Sequence, residues 1–519
     1  MNAAAGDDEK ATFSKERLEN MQEIKIGWAS RDISTTAPVD IPGQFHMRIS
    51  EGIQDPITIT ALVLDNGVDL VIFLTADLVA MRACLVKAVR AKVAALDPSI
   101  PVEKIIMNVT HTHEGASYYE ANSASMASAD QVPHDSVTIA SSDDYREELS
   151  DKIASAIVEA YNKRAPGGIA YGYSYAVVGH SRRVVYFDDL SKRPGASSTG
   201  GTIVAGHAAM YGNTNDPNFS HYEAGADHFV NLLYTFDLSG KLTGAIVNVP
   251  CPSQCSEHIR RLSGDYWHDF RVRLRKQHGS VYVLPQCAAA GDLSPRILHA
   301  KAAQERRFRL KYGEGGRKDM DERKDIAERL LAAFNEALSW ASKDIQTHLP
   351  LGHIVKTIEL ERRLISEAEA ANEQKQLAEL EAEPFKTDGD PIERLNYNSR
   401  LVSRRNRCRR ILHRYELQKT QPKFAMELHA VRVGDVAFAN NSFELYMDYM
   451  HRIQARSPFV QTFIIQLAGN EESGGYLATE RGAWGKGYSA SIYCNVVSPA
   501  GGQQLVEETL AALQQLHDA

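Results

Sequence analysis

Residues 59–109 leave the chain little freedom. ITALVLDNG (59–67) and DLVIFLTAD (69–77) are two apolar runs rich in β-branched residues, separated by Asn66-Gly67. That dipeptide favours the left-handed turn of a tight hairpin. RACLVKAVRAKVAALDP (82–98) then sets apolar residues at helical spacing and stops at Asp97-Pro98, and KIIMNV (104–109) is another strand. Apolar strand runs alternating with amphipathic helices predict an α/β fold.

The alternation continues. DDYREELSDKIASAIVEAYNKR (143–164) opens on acids and ends before Pro166-Gly167-Gly168, as the helix dipole and C-terminal breakers prefer. NLLYTFD (231–237) and GAIVNVP (244–250) flank a DLSGK turn, and DYWHDFRVRLRKQHG (265–279) precedes the strand SVYVLPQ (280–286). Residues 302–343 and 359–417 are charged, alanine-rich and helical, while 428–441 and 461–469 return to strand and 502–516 to helix. Stretches 114–142 and 188–230 have no clear period and read as long loops, the first on the surface. The expectation is a polar tail over 1–20 and, over 21–519, one large α/β domain of mixed sheets flanked by helices. A helical insertion at about 353–425 reads as a solvated hairpin in preference to a coiled-coil partner site.

Composition excludes several classes. A net charge of −8 gives no support for nucleic-acid binding, and SRLVSRRNRCRR (399–410) is the one basic stretch that resists this. Six cysteines in 519 residues are too few for a disulfide framework and read as reduced core or site residues. No run approaches about 18 apolar residues, so no membrane span is expected. The expected location is cytoplasmic, with secretion the alternative if a signal peptide has been removed. The partner expected is a small-molecule substrate.

Four segments carry candidate chemistry. In NVTHTHEG, His111 and His113 close a strand at i and i+2, which would put both imidazoles on one face, as metal ligands or as polar edge residues. In AAAGDLSPR (288–296), Ser294 stands at the C-terminal end of a strand, where open α/β sheets bind ligands, although a purely structural turn reads equally well. In NNSFELYMDYMHRI, Glu444 lies between a strand and a helix start, a common place for a capping carboxylate. Tyr476 and Tyr488 lie twelve positions apart in a Gly-rich stretch, where tyrosines more often pack than react.

Together, and in this order, these segments resemble the catalytic domain of the neutral/alkaline ceramidase family over most of residues 24–515. IKIGWASRDIS is similar to the family's opening strand and turn, followed by GIQDPITITALVLDNG. THTHEG resembles its two-histidine motif, Gly291-Asp292-Leu293-Ser294-Pro295 its Gly-Asp-x-Ser-Pro turn, and SRRV its arginine motif at Arg182. SFEL aligns Glu444, and the tyrosine pair closes the pattern. The resemblance implies a zinc-dependent hydrolase. His111, Glu444 and Tyr476 would be zinc ligands, and His113 would face the reacting carbonyl. Ser294 would be nucleophile or substrate-positioning hydroxyl, and Arg182 and Tyr488 would hold or polarise the amide.

One ligand departs from the family pattern. Where the family has a histidine after a strand, NVPCPSQCSEHIRRLSGDYW (248–267) has Cys251-Pro252. Three explanations compete: Cys251 binds the metal as thiolate, His258 reaches in, or the metal site is weakened or lost. A buried core thiol is the ordinary fate of a free cysteine. The family's additional C-terminal domain has no counterpart before residue 519, and the substrate expected is an acylated amine, lipid or sugar, not necessarily ceramide. Two other functions remain open from sequence. One is glycoside cleavage by acids among Glu114, Asp292 and Glu257. The other is a non-catalytic relative that binds a small molecule or carbohydrate.

Overall fold

In the computed structural model, the residues described are 22–120, 127–134, 137–198 and 203–519. The expected polar tail over 1–20 lies outside them. The hairpin forms as the turn dipeptide requires: β1 (Lys25–Asp32) pairs antiparallel with β2 (Thr58–Asp65), and β2 with β3 (Leu70–Ala76). Gly67 takes φ +79°, and Asn66 Oδ1 accepts the Val68 and Asp69 amides, both at 3.0 Å. Helix α1 (Ala83–Leu96) then returns the chain so that β4 (Ile105–Val109) runs parallel to β3.

Helix α2 (Ser142–Asn162) is capped by Ser141, whose side chain accepts the Asp144 amide, and leads into β5 (Ala165–Tyr175). β6 (Phe229–Asp237) and β7 (Leu242–Val249) form the second hairpin, and α3 (Tyr266–His278) returns the chain to β8 (Tyr282–Cys287), parallel to β7. The eight strands form one sheet in the order β8-β7-β6-β5-β1-β2-β3-β4. Residues 302–343 are two helices, α4 (Lys301–Tyr312) and α5 (Lys318–Ala341), broken where Gly313 and Gly315 take positive φ.

The insertion is narrower than expected. Residues 351–361 are a strand, β9 (Leu351–Glu361), and the helices are confined to α6 (Glu367–Ala382) and α7 (Pro391–Leu417). IVKTIELE carries helix-forming Lys and Glu, but its alternating burial fits the antiparallel partner β10 (Lys423–Val433). β11 (Val436–Asn440) and β12 (Gln461–Ile465) complete a second sheet, with α8 (Met447–Arg456) between them and α9 (Pro499–Asp518) closing the chain. The chain beyond β12 joins the two edges of the first sheet: the Gln466 amide donates to Cys287 O at 3.1 Å and the Gly469 amide to Met107 O at 2.9 Å. The ends of β4, β7, β8, β11 and β12 therefore meet in one region.

The two long loops are less irregular than their composition suggests. Within 188–230, Ala208–Met210 and Phe219–Tyr222 pair with Arg183–Tyr186. Residues 113–119 are buried, so the stretch 114–142 does not begin on the surface; 121–126 and 135–136 lie outside the described residues. No helix among the described residues is long and apolar enough to cross a membrane.

Candidate active site

β4 ends at Val109, so the two histidines do not stand side by side on a strand face. His111 instead takes a left-handed backbone (φ +58°), a conformation costing a residue with a Cβ about 1–2 kcal/mol. The turn brings the rings edge to face, centroids 4.9 Å apart, with Nε2 atoms 3.4 Å apart. His111 Nδ1 lies 2.5 Å from Val79 O, which assigns the N–H to that nitrogen and leaves Nε2 with a lone pair. Burial pushes the His111 pKa down to about 4, overriding the nearby Glu444 carboxylate, so the ring is neutral near pH 7.

Glu444 reaches the same point from the end of β11, with Oε2 3.5 Å from His111 Nε2. The Glu444–Leu445 pair runs parallel to Tyr476–Leu477, which sets Glu444 opposite Tyr476. Arg182 spans the group: its Nη2 lies 3.2 Å from the Tyr476 hydroxyl, 3.7 Å from Glu444 Oε2 and 2.9 Å from Gly291 O. Burial, and Glu444 beside it, hold the Tyr476 hydroxyl well above its ordinary pKa. The Tyr488 ring meets Tyr476 edge-on at 5.8 Å. Gly291 is required by packing, since a Cβ there would stand 2.3 Å from Glu444 O.

His113 is held by side chains that sequence reasoning did not assign to it. Gln254 Nε2 lies 2.6 Å from His113 Nε2 and donates to it. Glu257 Oε2 is 2.7 Å from Nδ1, out of line for a straight hydrogen bond. Burial works against the Glu257 charge, but His113 and Arg296 outweigh it and hold this carboxyl far below its usual range. Both residues lie just beyond Cys251, in the segment that departs from the family pattern. Arg48 Nη2 also donates to His113 O, at 2.5 Å.

The remaining candidates make other contacts. Ser294 is fully buried and its Oγ accepts the Arg296 amide at 3.2 Å; among the described residues no imidazole or carboxylate hydrogen-bonds to that hydroxyl. Cys251 Sγ contacts Pro252 O at 3.4 Å within an apolar cluster containing Tyr266 and Trp267, and burial raises its thiol well above the ordinary value. His258 sits at the exposed rim, 3.3 Å from Arg296 Nη2. The three acids considered for glycoside cleavage are engaged separately: Glu114 accepts from Ser256, Asp292 from the Met447 amide, and Glu257 faces His113.

Among the described residues, no group of three or more His, Cys, Asp and Glu side chains converges as a metal site. Donor chemistry at His111 and Glu444 nonetheless fits zinc. An imidazole lone pair faces a carboxylate at 3.5 Å, and ligand atoms of a tetrahedral zinc stand about 3.4 Å apart. The backbone carbonyl on Nδ1 is the orienting partner such a ligand needs. Tyr476, through its hydroxyl, is the third side chain at this point, and Cys251 is not in contact with the group.

The mixed α/β fold is one found in solved ceramidases. Neutral ceramidase from Pseudomonas aeruginosa superposes with a TM-score of 0.64 at 17% identity, covering 95% of this chain and 75% of that one. A ceramidase solved in complex with C2 superposes with a TM-score of 0.61 at 15% identity, covering 95% and 76%. Identities this low establish a common fold. No protein-family profile and no curated protein sequence matches the chain.

Proposed function

We propose that this chain is a hydrolase of a linear amide or a related acyl bond, with zinc held by His111, Glu444 and Tyr476. The observation that carries this reading is the meeting of the His111 Nε2 lone pair and the Glu444 carboxylate, beside the Arg182 guanidinium. The common fold with two ceramidases supports the reaction class. A bound zinc supplies Lewis acidity, worth several kcal/mol to an acyl oxygen gaining charge. Arg182, charged at any working pH, adds a fixed donor beside that oxygen. His113, whose Nε2 accepts from Gln254 and whose Nδ1 lies against Glu257, faces the acyl carbonyl with its ring held in place from both nitrogens. Tyr488 orients the acyl group from the opposite wall. Ser294, without a base at its hydroxyl, acts as a positioning residue. The substrate is a small acylated amine, lipid or sugar.

The test is zinc content of purified wild type beside His111→Ala and Glu444→Gln, with N-acyl and O-acyl chromogenic compounds screened on all three. Wild type is expected to carry zinc and turn over at least one acyl compound, and both variants to lose both properties. Equal zinc in wild type and His111→Ala, without acyl turnover, removes the reading.

A further inference from the structure

The arginine-rich run 399–410 belongs to α7: Arg404 and Arg409 pair with Glu383 and Glu381, whereas Arg410, and Arg414 one turn further on, reach main-chain carbonyls. Arg414 Nη1 donates to Ile492 O at 2.5 Å, and its Nη2 donates to Asn495 O at 2.8 Å and Arg363 O at 3.2 Å. Arg410 Nη2 donates to Tyr493 O at 3.1 Å, and the Arg407 guanidinium lies 4.4 Å from the Tyr493 ring centre. The Tyr493 hydroxyl donates to Glu373 of α6 at 2.6 Å. Arg414 is buried, and its bonds all run to main-chain carbonyls. A desolvated guanidinium used in this way fixes a backbone conformation, because its planar fork reaches several oxygens at once.

The backbone so fixed belongs to the candidate site. Tyr488 begins the segment. Cys494 O accepts the Tyr476 amide at 2.9 Å, and Asn495 Oδ1 accepts the Ala478 amide at 2.9 Å. Earlier in α7, Ser399 Oγ accepts the Met47 amide at 3.0 Å, and Arg400 Nη2 lies 3.4 Å from His46 Nδ1. Residues 42–48 are the opposite wall: Gly43 packs its backbone on the His113 ring, and the Phe45 ring meets Tyr488 edge-on at 5.2 Å. One helix thus grips both walls at different points along its length.

We infer that α7 is the positioning element of this site, with Arg414 the residue that sets Tyr488 and Ser399 the residue that sets the wall against His113. The catalytic consequence rests on the proposed function; the mechanical one does not. In the full-length protein, Arg414→Ala is expected to speed hydrogen exchange of the amides from Tyr488 to Asn495 about tenfold or more, leaving β2, β3 and β6 unchanged. Arg414→Lys restores part of the protection. For an acyl compound that wild type hydrolyses, kcat falls about 10²-fold in Arg414→Ala, with partial recovery on adding ethylguanidinium. Ser399→Ala is expected to loosen 42–48 alone, and it serves if Arg414→Ala does not fold. Unchanged exchange in both segments, or a uniform rise across the chain, overturns the inference. Absence of acyl turnover in wild type counts against the proposed function, and the exchange data still decide the role of α7.

Discussion

Gly43→Ala offers a worked perturbation because a matched control exists in the same chain. Gly43 has φ +113° and Gly52 has φ +126°, both in a region that side chains with a Cβ rarely enter. Alanine at either position carries a backbone strain of about 1–3 kcal/mol. Their surroundings differ. A Cβ on Gly43 would stand 2.6 Å from His113 Cγ and 2.8 Å from Nδ1, whereas the nearest atom to one on Gly52 is Arg261 Nη2 at 3.7 Å. Forced overlap in a packed site costs about 1–3 kcal/mol more, unless the imidazole moves. Two results are therefore expected from urea unfolding and steady-state hydrolysis. Either Gly43→Ala is less stable than Gly52→Ala by that further amount, or the two are equally stable and Gly43→Ala alone loses turnover, about 10²-fold for a ring displaced by 1 Å. Matching stability together with matching turnover would refute the claim that this backbone abuts His113.

Three further outcomes are expected. Arg183 and Glu223 form a buried two-point pair at 2.8 and 2.6 Å, so Glu223→Gln leaves a desolvated charge and costs about 3–5 kcal/mol in urea unfolding, while replacing both residues by apolar ones costs less. His353 and His429 form a buried chain, 2.9 Å apart, and burial holds both below the ordinary value of 6.5. The unfolded chain therefore binds protons first, and the pair's stabilisation, present above about pH 6.5, falls by about 1.4 kcal/mol per pH unit per residue on acidification. Asp40 and Glu322, raised to about 7 by burial, act in the opposite sense, so the slope is read as the difference between wild type and a His353→Gln/His429→Gln variant. Cys251→Ala is expected to cost about 1–3 kcal/mol of stability and leave zinc content unchanged; loss of zinc would return the thiol to the ligand set.

Much of the fold was legible because its signals are local. Asn66-Gly67 turns a hairpin through its own side chain, Asp143 and Asp144 stand in the first turn of the helix they were expected to open, and α1 stops at Asp97-Pro98. The strand at 351–361 was missed because its Lys and Glu are good helix formers in isolation, and the partner that overrides them begins at residue 423. At the site, the residue types in THTHEG, GDLSP and SFEL marked where chemistry could lie. They did not show how His111 is turned, since a left-handed residue is stabilised by what packs around it. They also did not show that Gln254 and Glu257 hold His113.

Taken alone, the sequence determined an alternation of strands and helices, the turns and caps between them, and the identity of the polar groups at several strand ends. Interactions within about four residues decide those features. Only the tertiary structure decided which groups meet. Arg182 and Tyr476 touch although 294 positions apart, Cys251 turns into an apolar cluster, and the arginines of α7 bind carbonyls of the segment bearing Tyr488. Those outcomes follow from how the sheet edges come together and from the need of buried guanidiniums and carbonyls for partners. Residue spacing along the chain carries no record of either.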